Sequence, residues 1–431
     1  MLKLKGSIKI SGDKSISHRS LIIAAMSVGE TQIRNLLESE DILSTVNILK
    51  CLGIKISKTK EYWKVIGNGT GGFLEPEKEL DCGNSGTTAR LMIGAVASNP
   101  IQCTFIGDIS LSKRPMSRVT DYLKKMGAQT KLTRNDFLPL FIDGNDKLLP
   151  MKHIMKTASA QVKSALILAA LNTHGKVKIV ENSITRDHTE KLLQYLNLNI
   201  KLKKLANGGN EICLNGPYEI RSKNISVASD PSSAAFFIVG ALIVPGSEIK
   251  LINVCLNPTR IAFIDVLKRM GGKIKIERKG KRSGENIGNI IAKYSKLKGI
   301  KIQSRLAPLL IDEYPILSIA ATQADGTTVM KGLGELRHKE SDRLKSIVTN
   351  LNKLNFEITS KNNDIYIKKK QNNIKSKKII KTYDDHRIAM SFLILNILYP
   401  DKIAIDNEKC ISISYPKFKE HLKYLLNQKK K

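Results

Sequence analysis

The chain has 431 residues, of which 42% are hydrophobic. This length exceeds what one hydrophobic core supports, so it predicts two domains or a large repeat and excludes a purely disordered protein. The six cysteines show no C-x-x-C pair and no histidine at ligand spacing, which argues against a disulfide framework and a zinc site. The apolar runs are too short for a membrane span, and the N-terminus lacks the apolar core of a signal peptide. We therefore expect a cytoplasmic protein with no membrane partner.

The net charge of +32 makes nucleic acid a partner to weigh. Much of the excess is lysine in segments such as 367–381 (IKKKQNNIKSKKIIK). Aromatic residues, which stack on single strands, make up only 5% of the chain. We favour a solvated lysine surface and expect no nucleic-acid partner, with an RNA-binding role as the alternative.

A repeat runs along the chain. Apolar, small-residue-rich runs end at turns at Gly29, Pro100, Gly175, Gly246, Gly326 and Pro400. Successive turns lie 71 to 80 residues apart, about twice the length of an ordinary solenoid unit. This spacing favours two pseudo-threefold domains of three units each over a solenoid.

Each unit has the same order of elements. Buried helices are predicted at HRSLIIAAMSVGE, TARLMIGAVASNP, QVKSALILAALNTHG, SSAAFFIVGALIVPG, YPILSIAATQADG and HRIAMSFLILNILYP. Short strands follow at TQIRNL, QCTFIGD, KVKIVEN, EIKLINV, TTVMKGL and KIAIDNE, and then amphipathic helices at ILSTVNILKCLG, MSRVTDYLKKMG, HTEKLLQYLN, RIAFIDVLKRMG, SDRLKSIVTNLNKL and PKFKEHLKYLL. Alternating strands such as KIKIER complete the unit. The pattern predicts an α/β fold with helices packed inside a layer of strands.

Polar clusters stand where the buried helices begin. Lys14, Ser15 and Arg19 surround the first helix N-terminus, where free N–H groups and the dipole favour an anion. This predicts phosphate or carboxylate binding, with a serine cap and solvated cations as the alternative. In the next unit, Gly86 lies in a glycine-rich segment (DCGNSGTTAR) that lets backbone approach a ligand but is not a Walker loop.

Further clusters occur at 110–116 (SLSKRPM), 158–163 (ASAQVK), 185–188 (TRDH), 337–343 (RHKESDR) and 384–387 (DDHR). At 311–315 (IDEYP), two carboxylates have apolar neighbours, and such a carboxylate needs a partner or acquires the raised pKa of a general base. Each cluster alone also fits an exposed charged turn. Their recurrence at equivalent points of the six units predicts that they converge on one region.

Seven motifs, in this order, resemble those of the 5-enolpyruvylshikimate-3-phosphate synthase family: DKSISHR, LDCGNSGTTAR, LSKRPM, SAQVKSA, IDEYP, HKESDR and YDDHRIAM. The resemblance runs from Gly6 to Phe418, and SAQVKSA is similar to the branch with Ser-Ala-Gln rather than Ser-Ser-Gln. It implies a two-domain inside-out α/β barrel, with three βαβαββ repeats in each domain. The implied domains are 1–12 with 229–431, and 13–228, with the active site in the cleft between them.

The resemblance also implies a reaction. The enolpyruvyl group of phosphoenolpyruvate would pass to the 5-hydroxyl of shikimate 3-phosphate, with release of phosphate, in the shikimate pathway. The two substrates together carry roughly six negative charges, which must be neutralised before they meet. Seven cations in the motifs could do this: Lys14, Arg19, Arg114, Arg186, Lys339, Arg343 and Arg387.

Carried over by motif, the resemblance assigns the site residues. Shikimate 3-phosphate would be held by Lys14, Ser15, Arg19, Ser159, Ala160, Gln161, Arg186, Asp312 and Lys339. Phosphoenolpyruvate would be held by Lys14, Gly86, Arg114, Gln161, Arg343 and Arg387, and the family's inhibitor glyphosate would share that pocket. Asp312 would take the hydroxyl proton, Glu340 would serve as acid and base at the methylene carbon, and Lys14 would share proton transfer. No metal or organic cofactor is implied, and we expect a monomer.

Two positions depart from the family pattern. Ile413 stands where some members have a lysine, which removes a peripheral cation for phosphoenolpyruvate. Asn355 replaces a glycine after the second helix of the fifth unit, which leaves the local loop geometry open. The nearest alternative function is the sister enolpyruvyl transferase that acts on a UDP-amino sugar. That enzyme has Lys-Asn where this chain has Lys14-Ser15, and a mobile-loop cysteine where 107–116 has none.

Overall fold

The computed structural model describes residues 2–132, 136–369 and 374–427. The chain separates into two compact units. The first unit is Met1–Ser11, Ser229–Gly280 and Asn286–Lys431, and the second unit is Gly12–Ala228 and Lys281–Glu285. The predicted domain boundaries stay a prediction, and the short segment Lys281–Glu285, expected in the first domain, groups with the second unit.

The helices and strands alternate throughout the described chain. The helices are α1 (Lys14–Ala25), α2 (Glu40–Cys51), α3 (Gly86–Ala97), α4 (Ser117–Lys125), α5 (Ala160–Ala170), α6 (His188–Tyr195), α7 (Pro231–Ile243), α8 (Ala262–Arg269), α9 (Ala307–Leu310), α10 (Tyr314–Thr322), α11 (Arg343–Lys353), α12 (His386–Asn396) and α13 (Phe418–Leu426). The strands are β1 (Lys5–Lys9), β2 (Val28–Arg34), β3 (Lys55–Lys58), β4 (Tyr62–Asn68), β5 (Leu80–Asp81), β6 (Gln102–Ile106), β7 (Gln129–Leu132), β8 (Leu140–Asp143), β9 (Lys152–Ile154), β10 (Gly175–Glu181), β11 (Lys201–Lys204), β12 (Asn210–Gly216), β13 (Ile225–Ser226), β14 (Glu248–Cys255), β15 (Lys273–Arg282), β16 (Glu285–Lys293), β17 (Lys301–Ile302), β18 (Thr327–Met330), β19 (Glu357–Lys361), β20 (Asp364–Lys368), β21 (Lys378–Ile380) and β22 (Ile403–Ile405).

The sheets repeat one plan. In the second repeat, β5 runs parallel to β6, which pairs antiparallel with β8, and β8 pairs antiparallel with β7. Four other sheets have the same order, and a two-stranded sheet of β21 and β22 belongs to the last repeat. Within the described ranges the strands form these six separate sheets and do not close into one continuous barrel. The predicted α/β class, with three repeats on each side of the crossover, is confirmed.

The chain passes from the first unit to the second after Ser11 and returns after Ala228, apart from the short segment Lys281–Glu285. Strand β1 pairs in parallel with β14, so that Lys5 lies opposite Glu248 across 243 residues of sequence. Strand β13 pairs in parallel with β2, with Ile225 opposite Ile33. The first strand therefore fills the edge of a sheet in the first unit, as the resemblance implied.

Six helices lie inside their units because they are apolar on nearly every face. In the first unit α7, α10 and α12 pack against one another, and in the second unit α3 packs against both α1 and α5. Every residue of α7 is buried. A helix that begins inside a protein must satisfy its first N–H groups without water. Side-chain caps do this at five of the six helices: Asp13, Ser85, Ser159, Asp230 and Asp385.

The amphipathic helices end in a shared way. In five of the six, the residue after the C-cap has a left-handed backbone, and these residues are Gly53, Gly127, Asn197, Gly271 and Asn355. Asn355, with φ of 61°, takes the left-handed conformation that glycine takes at Gly53, Gly127 and Gly271. The sequence alone did not determine the geometry of the loop at Asn355. The structure has the left-handed backbone there, because asparagine tolerates this region better than other residues with a Cβ. None of the helices described is long and apolar enough to cross a membrane.

Candidate active site

The N-terminus of α1 holds two of the predicted cations. Asp13 caps the helix, since its Oδ1 accepts a hydrogen bond from the Ile16 backbone N–H at 2.7 Å. Lys14 has a side chain that is 15% exposed, and its Nζ lies 2.8 Å from Asp41 Oδ2. The Asp41 carboxylate therefore holds the ammonium group beside the free N–H groups of the helix start.

Arg19 is buried and fixed by three contacts. Its Nε donates to Thr189 Oγ1 and its Nη2 to Ser164 Oγ, both at 2.7 Å. Its Nη1 donates to the backbone carbonyl of Ser15 at 2.8 Å. These bonds tie α1 to α5 and α6 and leave the guanidinium little freedom to turn.

A chain of hydroxyl groups links α1, α2 and α3. His18 Nδ1 lies 2.7 Å from Thr45 Oγ1, which lies 2.7 Å from Thr88 Oγ1. Burial lowers the pKa of His18 well below its ordinary value, and the charges of Lys14 and Arg19 lower it further. His18 is therefore neutral near pH 7, and the two neighbouring cations carry the positive charge here.

Gly86 begins α3, at a point where two guanidinium groups converge. A Cβ at Gly86 would lie 3.1 Å from Arg90 Nη1 and 3.3 Å from Arg114 Nη1. Arg114 is held by Asn84, whose Oδ1 accepts from its Nη2 at 2.9 Å. Two arginines beside a helix N-terminus capped by Ser85 form an arrangement suited to an anion.

The start of α5 is bonded to the same place. Gln161 Oε1 accepts from Arg90 Nη1 at 2.6 Å, and Gln161 Nε2 donates to Thr87 Oγ1 at 2.9 Å. Ser159 caps α5, and Ser159, Ala160 and Gln161 are half-buried. Through these bonds and those of Arg19 and Thr45, the N-termini of α1, α3 and α5 are gathered in the second unit, with Lys14, Arg19, Arg90 and Arg114 among them.

Arg186 comes from the segment between β10 and α6. It is half-buried, and the preceding residue, Thr185, is buried with its hydroxyl donating to Glu181 Oε2 at 2.7 Å. The predicted shikimate 3-phosphate residues of this unit thus lie on helix N-termini and on one anchored loop.

Arg343 is the centre of the predicted cluster in the first unit. It begins α11, is fully buried, and has three carboxylates around it. Its Nε lies 2.8 Å from Asp385 Oδ2, its Nη1 3.1 Å from Asp312 Oδ1, and its Nη2 2.6 Å from Glu340 Oε2. Burial by itself lowers the pKa of Arg343, but the three carboxylates outweigh burial and raise it, so the residue is permanently charged.

Arg387 completes this cluster from α12. Its Nε lies 3.5 Å from Asp312 Oδ1, and its Nη1 donates to the Asp312 backbone carbonyl at 3.1 Å. Asp385 caps α12 by accepting the Arg387 backbone N–H at 2.9 Å. The Asp312 carboxylate therefore lies between two guanidinium groups. Lys339 precedes Glu340 in the chain and is half-buried.

The structure brings together, within each unit, most of what the motifs predicted. The first unit gathers Asp312, Glu340, Arg343 and Arg387 in direct contact. The motif analysis gave no role to three residues that build these clusters: Asp41, Arg90 and Asp385. Arg90 and Asp385 stand inside quoted motifs, so their signal was present. Asp41 lies in the first turn of an amphipathic helix, where an acidic residue is ordinary and carries no signal.

The described residues contain no group of three or more His, Cys, Asp or Glu side chains arranged to hold a metal ion. The clusters described above consist of cations, carboxylates and amides. The second unit offers positive charge for phosphates and carboxylates, and the first offers two carboxylates whose charges are balanced by arginines.

Comparison with known proteins agrees with this chemistry. Residues 1–422 match the model of the EPSP synthase (3-phosphoshikimate 1-carboxyvinyltransferase) family. A 3-phosphoshikimate 1-carboxyvinyltransferase of Paramagnetospirillum magneticum is 41% identical over 97% of this chain and 94% of its own length. One of Rhizobium johnstonii is 43% identical over 96% of this chain and 93% of its own.

The chain belongs to the EPSP synthase family. Enzymes of the family catalyse enolpyruvyl transfer in the shikimate pathway. The structure of the EPSP synthase from Acinetobacter baumannii superposes with a TM-score of 0.84 at 37% identity, covering 98% of this chain and 96% of that one. The enolpyruvyl transferase NikO from Streptomyces tendae has a TM-score of 0.76 at 15% identity, a likeness of fold alone, over 98% of this chain and 95% of that one.

Proposed function

We propose that this chain transfers the enolpyruvyl group of phosphoenolpyruvate to the 5-hydroxyl of shikimate 3-phosphate and releases phosphate. The observation that carries the proposal is the family match over residues 1–422. The two clusters support it, because they supply the fixed positive charge that two phosphorylated carboxylates require.

Shikimate 3-phosphate is held chiefly by the second unit. Its phosphate and carboxylate bind to the cations and N–H groups at the starts of α1 and α5 and to the adjacent loop. The residues are Lys14, Ser15, Arg19, Ser159, Ala160, Gln161 and Arg186, with Asp312 and Lys339 contributed by the first unit. The fixed guanidinium of Arg19 supports this role, since a rigid donor loses little entropy when it binds an anion.

Phosphoenolpyruvate uses cations of both units. Arg114 and the backbone of Gly86 bind it from the second unit together with Lys14 and Gln161, and Arg343 and Arg387 bind it from the first. The permanent charge of Arg343 suits it to the bidentate binding of a carboxylate or a phosphate.

The reaction is an addition followed by an elimination. A proton adds to the methylene carbon of phosphoenolpyruvate, which makes C2 cationic, and the 5-hydroxyl oxygen attacks C2 as its proton leaves. The tetrahedral intermediate then loses inorganic phosphate from C2 and a proton from the new methyl group, which restores the double bond.

Three side chains carry the protons. Asp312 takes the proton of the 5-hydroxyl, Glu340 gives and later removes the proton at the methyl carbon, and Lys14 shares proton transfer or stabilises the developing charge. The short contact of Arg343 with Glu340 and its contact with Asp312 support these roles, because one buried cation holds both carboxylates in place.

Release of inorganic phosphate tests the proposal. The purified chain is mixed with phosphoenolpyruvate and shikimate 3-phosphate, together or singly, and phosphate is measured over time. We expect release only when both substrates are present. Release with a UDP-amino sugar in place of shikimate 3-phosphate would contradict the proposal and indicate the sister transferase. Binding of RNA without any release of phosphate would indicate the alternative, an RNA-binding role.

A further inference from the structure

Beneath the starts of α5 and α6, the second unit buries an ion cluster that the proposed reaction does not use. Lys163 Nζ lies 2.8 Å from Glu190 Oε1 and 3.1 Å from Glu181 Oε2. The three side chains are almost wholly buried, with exposed fractions of 0%, 2% and 2% for Lys163, Glu181 and Glu190. Burying such a cluster removes three ions from water and adds little net stability, so its presence calls for another reason.

Glu181 connects this cluster to the loop that carries Arg186. Its Oε2 accepts hydrogen bonds from Thr185 Oγ1 at 2.7 Å and from the Thr185 backbone N–H at 3.2 Å. Its Oε1 accepts from Asn210 Nδ2 at 2.9 Å, on the neighbouring strand β12. One carboxylate thus joins a buried ammonium group, a strand and a loop.

The burial pattern shows what the connection does. Residues 182–184 are exposed, whereas Thr185 is 3% exposed and Arg186 is half-buried beside it. Thr185 is therefore the buried anchor of an otherwise exposed segment. Because Arg186 is the next residue, its backbone is fixed by the bonds that Thr185 makes.

The same cluster lies next to the contacts of Arg19. Ser164 and Thr189 accept hydrogen bonds from the Arg19 guanidinium. Ser164 directly follows Lys163 in the chain, and Thr189 directly precedes Glu190. The two helices α5 and α6 are thus joined twice, by the ion pair of 163 with 190 and by the hydroxyl pair of 164 with 189 at 2.7 Å. A change in the ion cluster would reach the Arg19 contacts as well.

We propose that Glu181, fixed by Lys163, is a positioning residue that holds the Thr185–Arg186 segment in the geometry that binds shikimate 3-phosphate. The inference rests on the proposed function. It adds residues to which the motif assignment gave no role, and it explains why a lysine is buried in α5 within one turn of Gln161. Neither Glu181 nor Thr185 needs to touch substrate for this role.

Two threonine variants test the anchor. Thr185→Val removes the hydroxyl and keeps the shape, and Thr185→Ser keeps the hydroxyl. We expect Thr185→Val to raise the KM for shikimate 3-phosphate by roughly tenfold, which is what a hydrogen bond to a charged group contributes. The KM for phosphoenolpyruvate and kcat should stay within about twofold, since the arginines around Gly86 are held by other contacts. Thr185→Ser should restore the KM of the unchanged chain.

Thr173→Val is a matched control, because Thr173 is also buried in this unit and its hydroxyl donates to a backbone carbonyl, that of Ala169, at 2.9 Å. It should leave both KM values unchanged. Equal increases in both KM values for Thr185→Val, or no difference between the valine and serine variants, would overturn the proposal.

Hydrogen exchange of the chain without substrates provides a readout that does not depend on the reaction. The amides of 182–187 should exchange faster in Thr185→Val and in Glu181→Gln than in Thr185→Ser or Thr173→Val. If the unchanged chain released no phosphate with both substrates, the proposed function would fail, and exchange would still decide whether Glu181 anchors the loop. Unaltered exchange in both Glu181→Gln and Thr185→Val would refute the anchoring role.

Discussion

At the scale of single residues, the first unit depends on how Arg343 shares its charge. One guanidinium contacts the proposed base, the proposed acid and the cap of α12, so three carboxylates share its single positive charge. Removing a carboxylate leaves the arginine with its other partners. Removing the arginine would take this shared charge away from all three carboxylates at once, which costs much more.

Asp312→Ala tests the proposed base. We expect kcat to fall by roughly 10² to 10⁴, the usual contribution of a general base, with substrate binding within about tenfold. Steady-state kinetics with both substrates measures this. Asp325→Ala is the control, since Asp325 is an exposed carboxylate of the same unit that pairs with Lys369. A variant with near-normal turnover would remove Asp312 from this role and leave Glu340 as the base.

Gly86→Ala tests the proposed phosphoenolpyruvate pocket. The new methyl group would lie 3.1 Å from Arg90 Nη1 and 3.3 Å from Arg114 Nη1, so these guanidinium groups must shift. Glyphosate is longer than phosphoenolpyruvate and should lose more affinity, by about 1–3 kcal/mol, or roughly 5- to 150-fold. Steady-state inhibition constants of glyphosate, measured in competition with phosphoenolpyruvate, decide this. Equal losses of affinity for glyphosate and phosphoenolpyruvate would contradict the assignment, and so would a wild-type protein that glyphosate does not inhibit.

At the scale of elements, the repeats share their helix ends more closely than their sequences. Five of the six buried helices begin at side-chain caps, and five amphipathic helices end at a left-handed residue, which is glycine in three of them and asparagine in two. The residues just inside each helix start differ between repeats. In α3 these are Gly86 and Arg90, whereas in α12 they are His386 and Arg387.

Asn355 allows the helix end to be tested. Asn355→Val should lower the stability by about 1–2 kcal/mol, because a β-branched residue is strained at a φ of 61°. Asn355→Gly should be neutral or slightly stabilising. Thermal unfolding of both variants measures this, with Asn352→Val in the preceding helix as the control for the loss of an exposed amide. Equal melting temperatures for Asn355→Val and Asn352→Val would show that the backbone conformation costs nothing here.

Strand β9 carries a histidine that makes stability depend on pH. Burial and, to a smaller extent, the charge of Lys125 lower the pKa of His153 to about 4. Because the folded pKa lies below the ordinary value of 6.5, the unfolded chain binds an extra proton between these values. The stabilising contribution is therefore complete above pH 6.5 and is lost as the pH falls toward 4.

The measurement is the difference in melting temperature between pH 7.5 and pH 5.0. We expect this difference to be smaller in His153→Gln than in the unchanged chain, because glutamine takes up no proton. His174→Gln replaces an exposed histidine of the same unit and should leave the difference unaltered. An equal difference in all three proteins would show that His153 titrates alike in the folded and unfolded states.

At the scale of the whole molecule, the charges proposed to bind the substrates are divided between the units. Lys14, Arg19, Arg114 and Arg186 belong to the second unit, and Lys339, Arg343 and Arg387 belong to the first. Cations brought near one another repel unless an anion lies between them. Substrates that carry roughly six negative charges together would supply that anion.

Small-angle scattering tests this division. We expect the radius of gyration to decrease when shikimate 3-phosphate and an unreactive analogue of phosphoenolpyruvate are added, because the ligands bridge cations of both units. Inorganic phosphate at equal ionic strength is the control and should have a smaller effect. No compaction with both ligands at saturation would contradict the assignment of substrate-binding cations to both units.

Several features of the fold and the site could be predicted from the sequence. The sixfold period, the buried helices and the amphipathic helices follow from apolar periodicity, which is local and depends on which side chains share a face. The motifs around Lys14, Gly86, Asp312, Arg343 and Arg387 were visible because they crowd charged or small residues at helix starts. The resemblance assigned roles to them. The structure places Lys14, Gly86, Arg343 and Arg387 in the first turns of α1, α3, α11 and α12, and Asp312 in the turn before α10.

The tertiary structure alone decided which of these residues meet and which charges are buried. Lys163 looks in sequence like any lysine three residues into a helix, yet it is paired inside the protein with carboxylates 18 and 27 positions later. Arg90 contacts Gln161 across 71 residues, and β1 finds its partner strand 243 residues away. Such pairings depend on which strand edges and which interior volumes are left to fill once the local elements have formed. Local periodicity carries no information about that choice, because burial and charge pairing are properties of the packed chain.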